Sequence, residues 1–170
     1  EIFSYVLEGA LEHRDSLGNQ RRLEPGQIQL MSAGAGVTHS EYNPHADQPL
    51  SFLQIWIHPQ HKGLAPSYTE WSPTADSEAS AKTLLISPDG RDGSARIHQD
   101  AAVYRLRTPK SITLQHTLSP GRGAWLQVIS GAIGFNGATI QTGDGASMEV
   151  AGAHSFELAA GAHALLFDLA

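Results

Sequence analysis

The sequence contains no cysteine among its 170 residues, and this absence limits the sites that it can build. Disulfide-stabilised scaffolds and zinc sites with thiolate ligands are excluded, because both require cysteine. Nine histidines are present. Any metal ion in this protein would therefore be held by imidazole nitrogens and carboxylate oxygens, a ligand set that suits first-row divalent metals.

Charged residues are also scarce, at 16% of the chain against about 25% in typical soluble domains. Eleven Lys and Arg against 17 Asp and Glu give a net charge of −6, and the basic residues form no cluster. Nucleic acids are bound mainly through clustered cations, so we expect no nucleic-acid partner. No apolar run approaches the roughly 20 residues that cross a bilayer, and the first residues lack the features of a signal peptide. We therefore expect a cytoplasmic protein with no membrane partner.

Short segments rich in β-forming residues recur along the chain, separated by turns that contain Gly, Pro, Asn or Asp. This texture predicts an all-β protein built as jelly rolls or barrels. The segments are residues 2–7, 27–31, 37–41, 50–57, 102–106, 112–118, 125–129 and 164–169.

Two parts of the sequence resemble each other. Residues 5–11 (YVLEGAL) parallel residues 127–133 (QVISGAI), and residues 26–31 (GQIQLM) parallel residues 143–148 (GDGASM). Each pair keeps a glycine at the same point of a strand–turn–strand pattern. We predict that the chain holds two copies of one β-barrel unit.

The repeats set the expected domain boundaries. Residues 1–58 are predicted to belong to an N-terminal barrel and residues 101–170 to form a C-terminal barrel. Residues 59–100 have recurrent proline and little periodicity, and are predicted to be an inter-domain connection. Within this connection, residues 77–85 are predicted to form a short helix.

His39 and Glu41 are the sharpest chemical feature of the sequence. If residues 37–41 are extended, side chains two positions apart share a face, so the imidazole and the carboxylate point the same way. Such a pair suits a divalent metal. The alternative is that Glu41 is exposed and His39 hydrogen-bonds within a loop. His13 either packs in the turn beside Asp15 or supports the site from behind.

Apolar residues near this pair have two possible roles. One is to line a substrate pocket, and the other is to form part of the barrel core. The candidates are Met31, Phe52, Ile55 and Trp56.

The second copy offers a comparison. When the copies are aligned on Gly26 and Gly143, His39 falls opposite Phe156 and Glu41 opposite Leu158. A shifted alignment offers His154 and Glu157, but their spacing of three places them on opposite faces of a strand. The C-terminal barrel is therefore predicted to lack a metal site.

Several segments together resemble the pirin family of the cupin superfamily. They are YVLEG, HRDSLGN, LEPGQIQLMSAGAGVTHSEYN and FLQIWI in the first 57 residues, and HQDAAVYR at residues 98–105. The resemblance implies two cupin domains, with a metal held by three His and one Glu in the N-terminal one. It makes His39 the third histidine ligand and Glu41 the carboxylate ligand. We also expect Glu41 to be the catalytic base, because it would accept the proton of a substrate hydroxyl bound at the metal.

The two remaining histidines of that ligand set form an H-x-H motif, which the resemblance places a few residues before the position of Glu1. We therefore expect an N-terminal barrel that is incomplete in this chain, and a chain that is inactive by itself.

For the intact protein, the resemblance implies a metal-dependent dioxygenase that opens the ring of a flavonol with O₂, as in quercetin 2,3-dioxygenase. Its partners would be a small aromatic substrate and O₂, and its metal Fe(II), with Mn, Co, Ni or Cu as other options. A monomer is expected. The alternative is a non-enzymatic, metal- or redox-sensitive regulatory protein. Ring cleavage predicts an apolar pocket beside the metal, whereas partner binding predicts an exposed apolar patch elsewhere. A sugar isomerase would need more polar residues near the site.

Overall fold

The structure is a computed structural model that describes all 170 residues, Glu1–Ala170. Strands dominate it, which confirms the predicted all-β class. No helix has the length and apolar character needed to span a membrane. The elements are β1 (Ile2–Glu8), β2 (Leu11–Asp15), β3 (Gln20–Leu23), β4 (Ile28–Ser32), β5 (His39–Tyr42), β6 (Ser51–Trp56), β7 (Ser67–Trp71), α1 (Ala75–Ala79), β8 (Lys82–Ser87), a 3₁₀ turn (Arg91–Gly93), β9 (Ala95–Arg96), β10 (Ala101–Arg107), β11 (Ile112–Leu118), β12 (Gly123–Ser130), β13 (Ala132–Phe135), β14 (Ala138–Gln141), β15 (Gly145–Met148), β16 (Gly152–Leu158) and β17 (His163–Leu169).

The chain divides into two compact units. Unit 1 contains Glu1–Pro73, Pro88–Gly90 and Ala95–Gln99, and unit 2 contains Thr74–Ser87, Arg91–Ser94 and Asp100–Ala170. The segment predicted as a connection therefore supplies secondary structure to both units. The predicted boundaries at residues 58 and 100 stay predictions.

Unit 1 is built from two antiparallel sheets. One has the strand order β6-β1-β4-β7, and the other has the order β3-β2-β5. Alternate side chains of these strands meet in a small core of Val6, Leu11 and Leu23, against which Leu50 and Phe52 pack. Because the side-chain period of a strand is two, the inward face continues from this core toward Ser4 on β1 and Gln54 on β6.

Unit 2 has a larger apolar core. Its strands form one sheet in the order β15-β12-β17-β10-β8 and a second in the order β11-β16-β13-β14. Both sheets contribute buried residues to one cluster, as expected when each sheet presents one apolar face. The cluster contains Leu106, Leu118, Ala124, Leu126, Val128, Ile133, Phe135, Met148, Phe156, Leu158, Ala162, Ala164 and Leu166.

The predicted duplication is visible in the strand register. In unit 1, Ser4 of β1 lies opposite Gln29 of β4 and Gln54 of β6. In unit 2, Leu126 of β12 lies opposite Ala146 of β15 and Leu166 of β17. Gly9 and Gly131 follow β1 and β12 with φ of 75° and 79°. Position by position, β1, β4 and β6 therefore correspond to β12, β15 and β17.

The helix predicted at residues 77–85 is misplaced. Helix α1 covers only Ala75–Ala79, because Thr74 and Ser77 form a capping box that begins the helix earlier. From Lys82 onward the chain is strand β8, which pairs with β10. Leu85 and Ile86 are fully buried there, so sheet packing decides the conformation of this segment rather than its local propensity.

Gly34 is expected to be irreplaceable in unit 1. Its φ is +52°, and an added Cβ would lie 2.1 Å from the carbonyl oxygen of Leu64. Gly18 also has positive φ, but no atom lies within 4 Å of its Cβ position. Both alanine variants bear a left-handed backbone cost of about 1 kcal/mol, while Gly34→Ala must also displace backbone. We expect Gly34→Ala to lower the free energy of unfolding by about 2 kcal/mol more than Gly18→Ala in urea titrations. Equal losses would contradict this account.

Candidate metal centre

Strands β2 and β5 bring three candidate ligands together. Their antiparallel pairing places His13 opposite Glu41, and Asp15 opposite His39. His39 and Glu41 are two positions apart on β5 and share a face, as the sequence predicted. Ligand atoms of His13, His39 and Glu41 all lie within 4.8 Å of one another. The predicted roles of His39 and Glu41 as metal ligands stay predictions.

Glu41 is held by donors from the other sheet of unit 1. Ser4 Oγ donates to its Oε1 at 2.8 Å. The side-chain amide of Gln29 donates to the same oxygen, and that of Gln54 donates to Oε2. The Glu41 side chain is only 8% exposed, so the alternative of an exposed carboxylate is wrong.

His13 is completely buried behind Glu41, and both of its ring nitrogens have partners. Nδ1 lies 3.2 Å from Gln29 Nε2, and Nε2 lies 3.2 Å from Asp15 Oδ2. An amide nitrogen only donates, so Nδ1 accepts and the Nε2–H group donates to Asp15. Nδ1 is also 4.0 Å from Glu41 Oε1. The imidazole of His13 is thus fixed in one tautomer and orientation, in a supporting position.

Asp15 in turn fixes His13. Burial acts to raise the pKa of the Asp15 carboxyl group, but hydrogen bonds from Asn19, His13 and Leu17 have the larger effect and lower this pKa to about 2. Asn19 supplies two of these bonds, from its backbone N–H at 2.9 Å and its side chain at 2.7 Å. Asp15 is therefore an anion at neutral pH, suited to receive the His13 N–H.

His39 provides the observation that tests whether a metal fits. Its Nδ1 atom is buried and has no hydrogen-bond partner, although buried polar atoms are nearly always paired. The ring lies 5.6 Å from that of His13. An imidazole with an unpartnered nitrogen, in one cluster with a fixed carboxylate, is a donor set that suits a divalent cation. The residues present therefore fit a metal ion.

Two aromatic residues bind the glutamines that hold Glu41. Tyr68 Oη donates to Gln29 Oε1 at 3.1 Å, and Trp56 Nε1 donates to Gln54 Oε1 at 3.3 Å. Burial and the neighbouring Glu70 raise the pKa of Tyr68, so its hydroxyl remains protonated. Trp56 is 72% exposed, whereas Met31 is buried.

The residues predicted from the sequence do not include Ser4, Gln29, Gln54 and Tyr68. For Ser4, Gln29 and Gln54 the available signal was a polar residue within a largely apolar strand, and Tyr68 gave no such signal. This pattern does not identify a site by itself, because the sequence does not show which strands are neighbours.

Unit 2 has apolar residues at the corresponding positions. Its register places Leu158 opposite Ile133 and Glu157 opposite Gly134. Ile133 and Leu11 each lie two residues beyond the repeated glycine, so Phe135, two residues further along, corresponds to His13. The same register continued by one residue places Phe156 opposite Phe135, as Glu41 lies opposite His13, so Phe156 corresponds to Glu41. His39 then corresponds to His154. The sequence alignment that placed His39 opposite Phe156 and Glu41 opposite Leu158 is therefore wrong by two residues.

The polar partners of Glu41 are replaced in the same way. Leu126, Ala146 and Leu166 stand where unit 1 has Ser4, Gln29 and Gln54. Only His154 retains its residue type, and its Nε2 lies 2.8 Å from the carbonyl oxygen of Val150. These replacements support the prediction that the C-terminal barrel has no metal site, which stays a prediction.

Comparison with known proteins assigns the family. Residues 1–57 match the family model described as Pirin, and residues 84–169 match the model described as Quercetinase C-terminal cupin domain. The chain belongs to the pirin family. The predicted cupin fold is thereby confirmed.

Relatives of this pirin chain include a protein of Escherichia coli K12 named quercetin 2,3-dioxygenase. The two are 41% identical over 169 residues, which cover 99% of this chain and 72% of the relative. Among solved structures, YhhW of E. coli superimposes with a TM-score of 0.94 at 40% identity, covering 99% of this chain and 71% of that one. A complex of bacterial pirin YhhW with nickel(II) gives a TM-score of 0.91 at 40% identity and the same coverages.

Proposed function

We propose that the protein is a metal-dependent dioxygenase that opens the ring of a flavonol such as quercetin with O₂. The observation that carries the proposal is the cluster in which the His39 imidazole, whose buried Nδ1 has no partner, lies close to the Glu41 carboxylate. The relative named quercetin 2,3-dioxygenase supports the reaction class, and the nickel(II) complex of YhhW supports a divalent metal. We further propose that the protein acts in the cytoplasm as a monomer.

In this proposal His39 and Glu41 hold the metal, together with two histidines that we expect before Glu1. His13 is not a ligand, since both of its ring nitrogens have partners in the protein. Fe(II) is our preferred ion, with Mn, Co, Ni or Cu as alternatives. A bound ion would supply Lewis-acid and one-electron chemistry for the reaction with O₂.

In this proposal a protein side chain, that of Glu41, accepts the substrate proton. Glu41 Oε2 accepts the proton of the flavonol 3-hydroxyl, because Oε1 already receives both Ser4 and Gln29. Gln54 keeps the carboxylate directed into the site from the other side. His13 and the Asp15 anion close the buried end, where they exclude water and fix the Gln29 amide.

The full-length protein, loaded with Fe(II), should consume quercetin and O₂ in a 1:1 ratio. Loss of flavonol absorbance, recorded together with an oxygen electrode, measures both, and metal-free protein treated with chelator is the control. Carbon monoxide should accumulate as the ring opens. Tight, stoichiometric metal binding without flavonol turnover would contradict the proposal and favour the regulatory alternative.

A further inference from the structure

The Glu41 carboxylate is bracketed by two glutamines on different strands. Gln29 of β4 donates to Oε1, and Gln54 of β6 donates to Oε2. A glutamine amide can present either its N–H₂ group or its oxygen to a neighbour, and only the N–H₂ group attracts a carboxylate. The two glutamines therefore hold the Glu41 carboxylate only if each amide keeps its N–H₂ group directed toward it.

Trp56 decides the orientation of Gln54. An indole N–H can only donate, so its partner 3.3 Å away must be the amide oxygen. The N–H₂ group of Gln54 is then left facing Glu41. Because Trp56 is 72% exposed, little of its ring is committed to core packing. Tyr68 also donates to an amide oxygen, that of Gln29, at 3.1 Å. A phenol hydroxyl can accept as well as donate, so this contact supports the orientation of Gln29 but does not impose it as Trp56 does for Gln54.

We propose that Gln54 and Gln29 are positioning residues that direct Glu41 toward the metal, that Trp56 sets the direction of the Gln54 amide, and that Tyr68 supports the direction of the Gln29 amide. The inference rests on the proposed metal site. Such outer partners orient ligands and typically contribute 10- to 100-fold to metal affinity.

Unit 2 contains a matched control for this arrangement. Trp125 Nε1 donates to Gln127 Oε1 at 3.3 Å, with the same spacing of two residues on one strand. The Gln127 amide donates instead to the backbone oxygens of Gly143 and Asp144, both at 3.1 Å. A Trp–Gln pair of this kind thus occurs without a carboxylate to position.

The test is a double-mutant cycle on the affinity of the full-length protein for nickel(II), measured by titration calorimetry. Gln54→Met should weaken binding roughly 10- to 100-fold. Trp56→Phe, which keeps a ring but removes the N–H, should weaken it about 3- to 10-fold, as expected for one hydrogen bond. In the Gln54→Met background, Trp56→Phe should have no further effect, because it acts through Gln54. Trp125→Phe should leave the affinity unchanged.

Each other outcome contradicts a specific part of the inference. If the Trp56→Phe and Gln54→Met effects multiply, Trp56 does not act through Gln54. If Gln54→Met binds nickel(II) normally while His39→Ala does not, the metal site stands and the positioning role is overturned. If the wild-type protein binds no nickel(II), both are overturned. Tyr68→Phe with Gln29→Met gives a second cycle should Gln54→Met not fold.

Discussion

Metal binding and flavonol turnover should both be lost when His39 is replaced by alanine. The buried Nδ1 of His39 has no partner in the protein, so the proposed function gives this atom one role, as a metal donor. Glu41→Ala should have the same result, since it removes the only carboxylate of the group formed by His13, His39 and Glu41. Removing a direct ligand should cost more than the roughly 10- to 100-fold typical of outer partners. Elemental analysis and nickel(II) titration measure the first effect, and the quercetin assay measures the second.

His154→Ala is the control for this experiment. His154 occupies the position in unit 2 that His39 occupies in unit 1, but with Phe135 and Phe156 around it in place of His13 and Glu41. Metal content and turnover should therefore be unchanged in this variant. Full metal content in the His39→Ala protein would refute the assignment of His39. A loss in His154→Ala as large as that in His39→Ala would place the metal site elsewhere.

Asp15→Ala should destabilise the protein by about 2 kcal/mol or more, since unsatisfied buried donors cost about 1–3 kcal/mol each. The carboxylate accepts hydrogen bonds from His13, Leu17 and Asn19. The substitution leaves the buried donor of His13 and the partly buried donors of Asn19 without an acceptor, whereas the exposed Leu17 N–H group can bind water. It also frees the ring of His13, so metal affinity should fall with stability. Urea titration measures the free energy of unfolding, and Asp47→Ala, at an exposed position, is the control.

The same carboxylate gives stability a defined pH dependence. The folded-state pKa of Asp15, about 2, lies below its ordinary value of 3.8, so the unfolded chain binds the proton first as the pH falls. The stabilisation is complete above a pH of about 4 and is lost progressively between about pH 4 and pH 2. Asp15→Ala should lack this part of the acid transition. An unchanged acid profile in the variant would show that Asp15 does not contribute it.

The spacing of His39 and Glu41 was sufficient to predict a shared face, because side-chain direction in a strand depends only on position parity. Placing the same residues against unit 2 failed, because a short insertion changes the apparent alignment, while strand register does not change. Only the pairing of β13 with β16 showed that His154, not Phe156, corresponds to His39. The helix at residues 77–85 failed for a related reason, since burial of Leu85 and Ile86 in a sheet overrides local preference.

The absence of cysteine already determined that any metal here is held by imidazole and carboxylate, and local periodicity determined the β class and the His39–Glu41 pair. Only the tertiary structure decided what surrounds that pair. Strand pairing places His13 opposite Glu41. Ser4, Gln29 and Gln54 are neighbours on the other sheet, and they reach Glu41 because the inner faces of the two sheets meet. The direction of the hydrogen bonds to Glu41 was also decided only in the tertiary structure, since a glutamine amide has two possible orientations until a group that can only donate, such as the Trp56 indole, selects one.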